Sequence, residues 1–240
     1  MPKLEISKVH DAYAAGGECP LCPLMDAVEQ TYLESFHGGR VMDPGVRVRT
    51  NETGFCPGHY RALYRGVNKL GLALVVHTHL RKKLPELRET FEAFHGAAAS
   101  GRKGEEKLGS LAQSLGALRD RCYICEMLAI DLERYAFTII YLWKKDPEFL
   151  PVFRASQGFC IGHFLTVFAK ARELLRGDEL ERWLRDVVPL VTASLERLEE
   201  EVLAFTQLHK DSNRSLGTEE ERTALARTLQ KLAGSVMKHD

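Results

Sequence analysis

The chain has 240 residues, with 33 basic and 33 acidic side chains, so its formal net charge is zero, and 45% of its residues are hydrophobic. That is the composition of a globular chain with a core, and the charge balance argues against a dedicated nucleic-acid or membrane-surface protein. The most apolar runs, Leu70 to Val76 and Tyr135 to Trp143, fall short of the roughly 20 residues a membrane span needs, and Met1 to Ile6 lack the apolar stretch of a signal peptide.

Residues 1–18 read as a lead-in that delivers the chain to Cys19 and Cys22. Leu21, Met25, Val28, Tyr32 and Phe36 then share one face at helical spacing, and Gly38-Gly39 stops that helix. Residues 40–55, with Asp43-Pro44-Gly45 followed by Val46 to Arg49, predict a turn and an extended return segment. A second helix begins near Pro57, its apolar stripe running through Tyr60, Leu63, Tyr64, Val67, Leu70 and Leu74, until Pro85 kinks or ends it. Leu84, Leu87, Phe91 and Phe94 suggest a further helix. Residues 96–110 are small, polar and glycine-rich and read as a linker. Leu108, Leu111, Leu115 and Leu118 mark a short helix leading to Cys122 and Cys125.

From there the pattern returns. Tyr135 lies ten residues after Cys125, as Tyr32 lies ten after Cys22. Lys145 to Phe153 form the second return loop, with a short helix in it. Leu180, Trp183, Leu184, Val187, Val191, Leu195, Leu198 and Val202 predict a long helix with a kink at Pro189, and Leu225, Leu229, Leu232 and Val236 a last one. Alternating strand patterns are nearly absent. The expected fold is all-α: internally duplicated helix–loop–helix units, each pinned by a Cys3His metal site, plus C-terminal helices. The expected division is 1–95, a 96–110 linker, 111–176 and 177–240, forming one compact unit.

The chemistry lies in a doubled motif. Gly54-Phe55-Cys56-Pro57-Gly58-His59 recurs as Gly158-Phe159-Cys160-Ile161-Gly162-His163, and a C-x2-C pair precedes each copy, so the pattern uses all six cysteines. Zinc takes four tetrahedral N and S ligands. A C-x2-C pair turns two thiolates toward one point, and Cys56 and His59, three residues apart at a helix start, share a face. Gly54, Gly58, Gly158 and Gly162 remove bulk beside the cysteines or allow a positive φ. The expected ligand sets are Cys19, Cys22, Cys56 and His59, and Cys122, Cys125, Cys160 and His163, with exchange between repeats as the alternative. Three thiolates and one imidazole fill a zinc shell, which points to two structural zinc ions per chain. The alternative cofactor is an iron–sulfur cluster, although the ferredoxin spacings are missing. A thioredoxin-like role lacks its βαβ context.

Other residues read more plainly. His77 and His79 point to different sides of a helix, and Tyr32 and Tyr135 read as core aromatics. Residues 40–83 carry nine basic and two acidic side chains, and residues 178–201 carry eight acidic and three basic ones. Nucleic-acid binding through the first region is possible but not favoured, and a homodimer is possible. The common phosphate-loop, hydrolase and zincin signatures are missing, so the reading leans away from an enzyme and toward a binding or scaffolding module.

The doubled motif, together with Lys145-Asp146-Pro147-Glu148-Phe149 and the closing Phe205-Thr206-Gln207-Leu208-His209-Lys210-Asp211, resembles a family of uncharacterised prokaryotic proteins of about this length, known only as a domain of unknown function. The resemblance covers nearly the whole chain and implies a cytoplasmic prokaryotic protein. It carries no activity with it.

Overall fold

A computed structural model describes residues 4–98, 101–208 and 218–235, without the side chains of residues 101, 103 and 208. Among them are eleven α-helices, one 3-10 turn and no strand, as the apolar periodicity predicts. In chain order the helices are α1 (Ile6–Ala15), α2 (Leu21–His37), α3 (Pro44–Thr53), α4 (Pro57–Arg65), α5 (Lys69–Ala98), α6 (Gly101–Asp120), α7 (Tyr123–Lys145), α8 (Phe149–Arg154), α9 (Ile161–Leu174), α10 (Asp178–Leu208) and α11 (Glu219–Ala233), with the 3-10 turn at Gly39–Met42. The chain divides into two compact units, Met1–Ala27 with Ile130–Asp240, and Val28–Ala129. The divisions fall inside α2 and α7, whereas the repeat pattern expects one compact unit with its internal boundaries at 96–110 and after residue 176.

In the first unit the core is aromatic. Trp183, Tyr135, Phe149, Phe153 and Phe159 are fully or almost fully buried, and side chains of this kind contribute about 1.5–3 kcal/mol each on burial. Tyr13 of α1 meets Phe149 edge-on at 4.9 Å and stacks on Phe153 at 6.1 Å. Phe153 in turn lies 6.3 Å from Phe159 of the glycine-led motif. Trp183 of α10 stacks against Phe164 and Phe168 of α9. At the start of α11, Thr218 and Glu221 form a reciprocal capping box, which satisfies two backbone donors otherwise left open at a helix start.

The second unit is built on Phe36, Val41, Val46, Phe55, Leu63, Val75, Tyr123 and Ile124. Phe55 of the first glycine-led motif packs edge-on against Phe36, at 5.2 Å, and against Tyr60, at 5.4 Å. Phe36 also meets Tyr123 at 5.7 Å.

Three local expectations change. The return segment is helical, not extended: the Asp43 side chain accepts from Val46 N at 3.0 Å and Pro44 opens α3, so Asp-Pro is a helix cap with proline in the first turn, where its missing N–H costs nothing. The stripe after Pro57 does not continue: α4 ends at Arg65, and Tyr64, Val67, Leu70 and Leu74 are exposed. The predicted linker is helix at both ends, residues 96–98 closing α5 and 101–110 opening α6. Ala97 is buried, α5 and α6 pack on each other, and Glu105, Glu106, Lys107 and Leu108 are good helix formers. Pro85 lies within α5 and Pro189 within α10. Val236 and the His209-Lys210-Asp211 end of the closing motif lie outside the described residues.

Candidate metal centres

Each glycine-led motif makes the same local structure. Gly54 has φ +59° and Gly158 has φ +71°, a region that side-chain-bearing residues rarely adopt. The backbone also approaches its neighbours closely there. A Cβ on Gly54 would stand 2.8 Å from His79 Nε2, and one on Gly158 2.9 Å from Val191 Cγ2 and 3.3 Å from the Val191 backbone nitrogen. One residue further on, the Phe side chain anchors the loop in the core. Cys56 and Cys160 then occupy the N-cap positions of α4 and α9, at φ −68°, ψ 165° and φ −65°, ψ 161°. Cys160 Sγ accepts from His163 N at 3.5 Å, so the free N–H groups of the helix start favour its thiolate. The second glycine of the motif has no such role at Gly162, where a Cβ would meet nothing within 4 Å.

All eight predicted donors come together in two sets of four, but not in the predicted pairs. Cys19, Cys22, Cys160 and His163 form one set, and Cys56, His59, Cys122 and Cys125 the other, the donor atoms of each lying within 4.8 Å of one another. Each set lies within one unit, and the glycine-led motif of one repeat joins the C-x2-C pair of the other. The packing explains the exchange. Phe55 rests on Phe36, near the end of α2 opposite the one that carries Cys22. Tyr123 N donates to Gly54 O at 3.0 Å, which sets the Cys122 pair beside Cys56.

Within the first set, Cys22 Sγ and Cys160 Sγ are 3.7 Å apart, and His163 Nδ1 lies 3.4, 3.5 and 3.3 Å from the sulfurs of Cys19, Cys22 and Cys160. Within the second, Cys56 Sγ and Cys125 Sγ are 3.8 Å apart, and His59 Nδ1 lies 3.2, 3.2 and 3.4 Å from Cys56, Cys122 and Cys125. Both histidines therefore present Nδ1. The other nitrogen of His59 meets Glu29 Oε1 at 2.9 Å, the carboxylate–histidine arrangement that orients a metal-binding ring.

The first set is clamped from α10 and α11. Glu18, next to Cys19, is 3% exposed and accepts from Arg197 at 2.8 and 2.7 Å and from Arg227 at 3.0 Å. The Lys231 ammonium, fully buried, donates to Glu18 O at 3.0 Å and to Gln157 O at 2.5 Å. It thus ties the segment before Cys19 to the segment before Gly158. The sequence reading misses Glu29, Glu18, Arg197, Arg227 and Lys231; only Glu18 carries a signal, its place beside Cys19.

The ionisation of the donors follows from their crowding. In the absence of a cation, hydrogen bonds from Cys125 and His59 hold the Cys122 thiol down to about 3, against its burial. Hydrogen bonds from Cys19 and Cys22, with His163, hold Cys160 far below the ordinary thiol range. Burial pulls His59 down, but Cys122 and Glu29 outweigh it and raise the ring to about 10. Burial likewise opposes, and Cys160 and Cys19 outweigh it at, His163, which also rises to about 10. The Cys122 thiolate pushes the Cys125 thiol up, and Cys160 does the same to Cys22. A cation must therefore displace a proton from Cys125 and one from His59, or from Cys22 and His163 in the other set. Because both partners of each pair are raised above neutrality, the protons are present at pH 7 and are released on loading. Loading the metal-free chain with zinc at pH 7 is expected to release at least two protons per ion, measured by calorimetry in buffers of different ionisation enthalpy, and acidification is expected to favour metal loss.

The remaining candidates read as the sequence suggests. His77 and His79 join neither set, and His79 Nδ1 bonds Asn51 O at 2.9 Å. Tyr135 is buried in the core. The Arg40 guanidinium lies over the Tyr32 ring. Much of the basic 40–83 region is engaged inside its own unit: Arg47 with Thr78, Arg49 with Glu126, Lys82 with Glu52 and Lys83 with Glu86. No described helix is long and apolar enough to cross a membrane.

Comparison with known proteins gives a family. The Family of unknown function (DUF6062) matches residues 2–239. The chain belongs to this family. A similar protein is the uncharacterized 23.9 kDa protein in the xynA 3' region of Caldicellulosiruptor sp. (strain Rt8B.4), 25% identical over 183 residues that cover 76% of this chain and 81% of that protein. No solved structure matches.

Proposed function

We propose that this DUF6062 chain holds two zinc ions, one in each Cys3His set, and that the ions fix helix starts in a cytoplasmic binding or scaffolding module. The spacing of the donors carries the reading. Four ligands placed tetrahedrally at zinc's usual bond lengths stand about 3.8 Å apart from sulfur to sulfur and about 3.5 Å from sulfur to nitrogen, and each set has a sulfur pair at that separation, Cys22 with Cys160 at 3.7 Å and Cys56 with Cys125 at 3.8 Å, and 3.2–3.5 Å from sulfur to nitrogen. An iron–sulfur cluster divides its protein ligands among two or more irons, so its four ligands do not all converge on one point as they do around a single ion. Three thiolates and an imidazole also fill the zinc shell, and a full shell suits a structural ion rather than a catalytic one.

The test is metal content with an optical spectrum, on protein purified without added metal or oxygen. A colourless protein with about two zinc ions per chain is expected. A brown, oxygen-sensitive product with iron and sulfide in its place overturns the assignment.

A further inference from the structure

The two centres differ in how they meet solvent. Cys19, Cys22 and Cys160 are each 1% exposed. In the other centre Cys122 is 2% exposed, but Cys56 is only half-buried and Cys125 is exposed. The two accessible sulfurs are also neighbours, at 3.8 Å. Reactivity of a thiolate toward oxidants follows its accessibility, and a disulfide needs its sulfurs to close to about 2.05 Å with little backbone change.

We propose that Cys125 and Cys56 form an oxidation site for peroxides, and that its oxidation releases the ion of that centre alone. The inference rests on the two-ion reading. The Cys125 thiolate attacks hydrogen peroxide: an S–O bond forms, the O–O bond breaks, and the departing hydroxide takes up a proton to give water. The Cys56 thiolate then attacks the sulfenyl sulfur: the S–S bond forms, the S–O bond breaks, and a second hydroxide leaves and is protonated. Two thiolates, one peroxide and two protons give one disulfide and two waters. The neutral disulfide sulfurs no longer hold a cation, and Cys122 with His59 supplies only half a shell. Cys122 is shielded from the first step by its burial, and the three sulfurs of the other centre are shielded in the same way.

The experiment uses the full chain with its metal, assayed before oxidant is added. Stoichiometric hydrogen peroxide is then added in the presence of a chromophoric zinc chelator, and the products are alkylated and mapped by mass spectrometry. The expected result is one zinc equivalent released with a Cys56–Cys125 disulfide, the second equivalent following at least about tenfold more slowly. Release of both equivalents at one rate, no release, or a disulfide that involves Cys19, Cys22, Cys122 or Cys160 overturns the inference while the two-ion reading stands. A chain that carries no metal before oxidation overturns the two-ion reading, and this inference with it.

Discussion

Alanine at Cys56 and Cys122 together is expected to remove one metal ion per chain and leave the other, and alanine at Cys22 and Cys160 together is expected to do the same. Each double substitution takes two ligands from one set. Pairing within repeats makes the opposite forecast, because each of these pairs would then damage both sites and leave none. The reciprocal variant, Cys22→Ala with Cys56→Ala, strips a ligand from each set and is expected to lose both ions. The stability change is large. Structural zinc contributes about 10–16 kcal/mol to the folding of small zinc-finger peptides, against total stabilities of about 5–15 kcal/mol for typical domains. The variants that keep one ion should therefore retain a cooperative unfolding transition of reduced size, while the variant that loses both should show none. Metal analysis and thermal melts of the three proteins decide between the pairings, and two full equivalents in any of them would remove the ligand assignment.

The eight clustered donors were legible because metal chemistry needs few residue types at tight local spacing. C-x2-C and Cys-x2-His each fit within one helical turn, so the sequence displays each half-site whole. The joining of half-sites is a long-range matter, decided by where the return segment ends. There the reading failed at Asp43-Pro44, where the pattern of a turn was the pattern of a helix start, and α3 occupies the place of an extended return. Helix identity was legible from the apolar stripes of α2 and α10, whose inward faces repeat every three to four residues. The 96–110 stretch was misread for the converse reason. Its glycines lower helix propensity, and packing of α6 on α5 overrides that. Apart from Glu18, whose place beside Cys19 is a signal, the clamp could not be read, since Lys231 and Glu18 are 213 positions apart and a lone Lys in a helical stripe looks like a solvated one.

That clamp gives the second large effect. Replacing Arg197 and Arg227 together by Met is expected to cost about 3–5 kcal/mol in denaturant unfolding of the metal-loaded chain, because it strips the Glu18 carboxylate, in a residue 3% exposed, of both its ion-pair partners. Glu18→Gln should cost less, since its two arginine partners keep 34% and 23% of their side-chain surface exposed and water can take over their solvation. Combining all three substitutions should recover part of the loss, a coupling that single contacts summed independently do not produce. An equal cost for Glu18→Gln and the double arginine variant would show that the buried charge is not what the arginines hold. The charge count reaches beyond the ion pairs. Lys231, Arg197 and Arg227 bring three positive charges to this region, and Glu18 and Glu201 bring two negative ones. Burial depresses the Lys231 pKa, while Glu18 and the sulfurs of Cys19 and Cys160 push it back up. A dication held by three thiolates and a neutral imidazole carries one net negative charge, the amount that balances the remaining cation. A buried ammonium is costly wherever its charge is unmatched, so Lys231→Met should destabilise the metal-loaded chain more than the chelated one, and equal losses in the two states would separate the lysine from the metal centre.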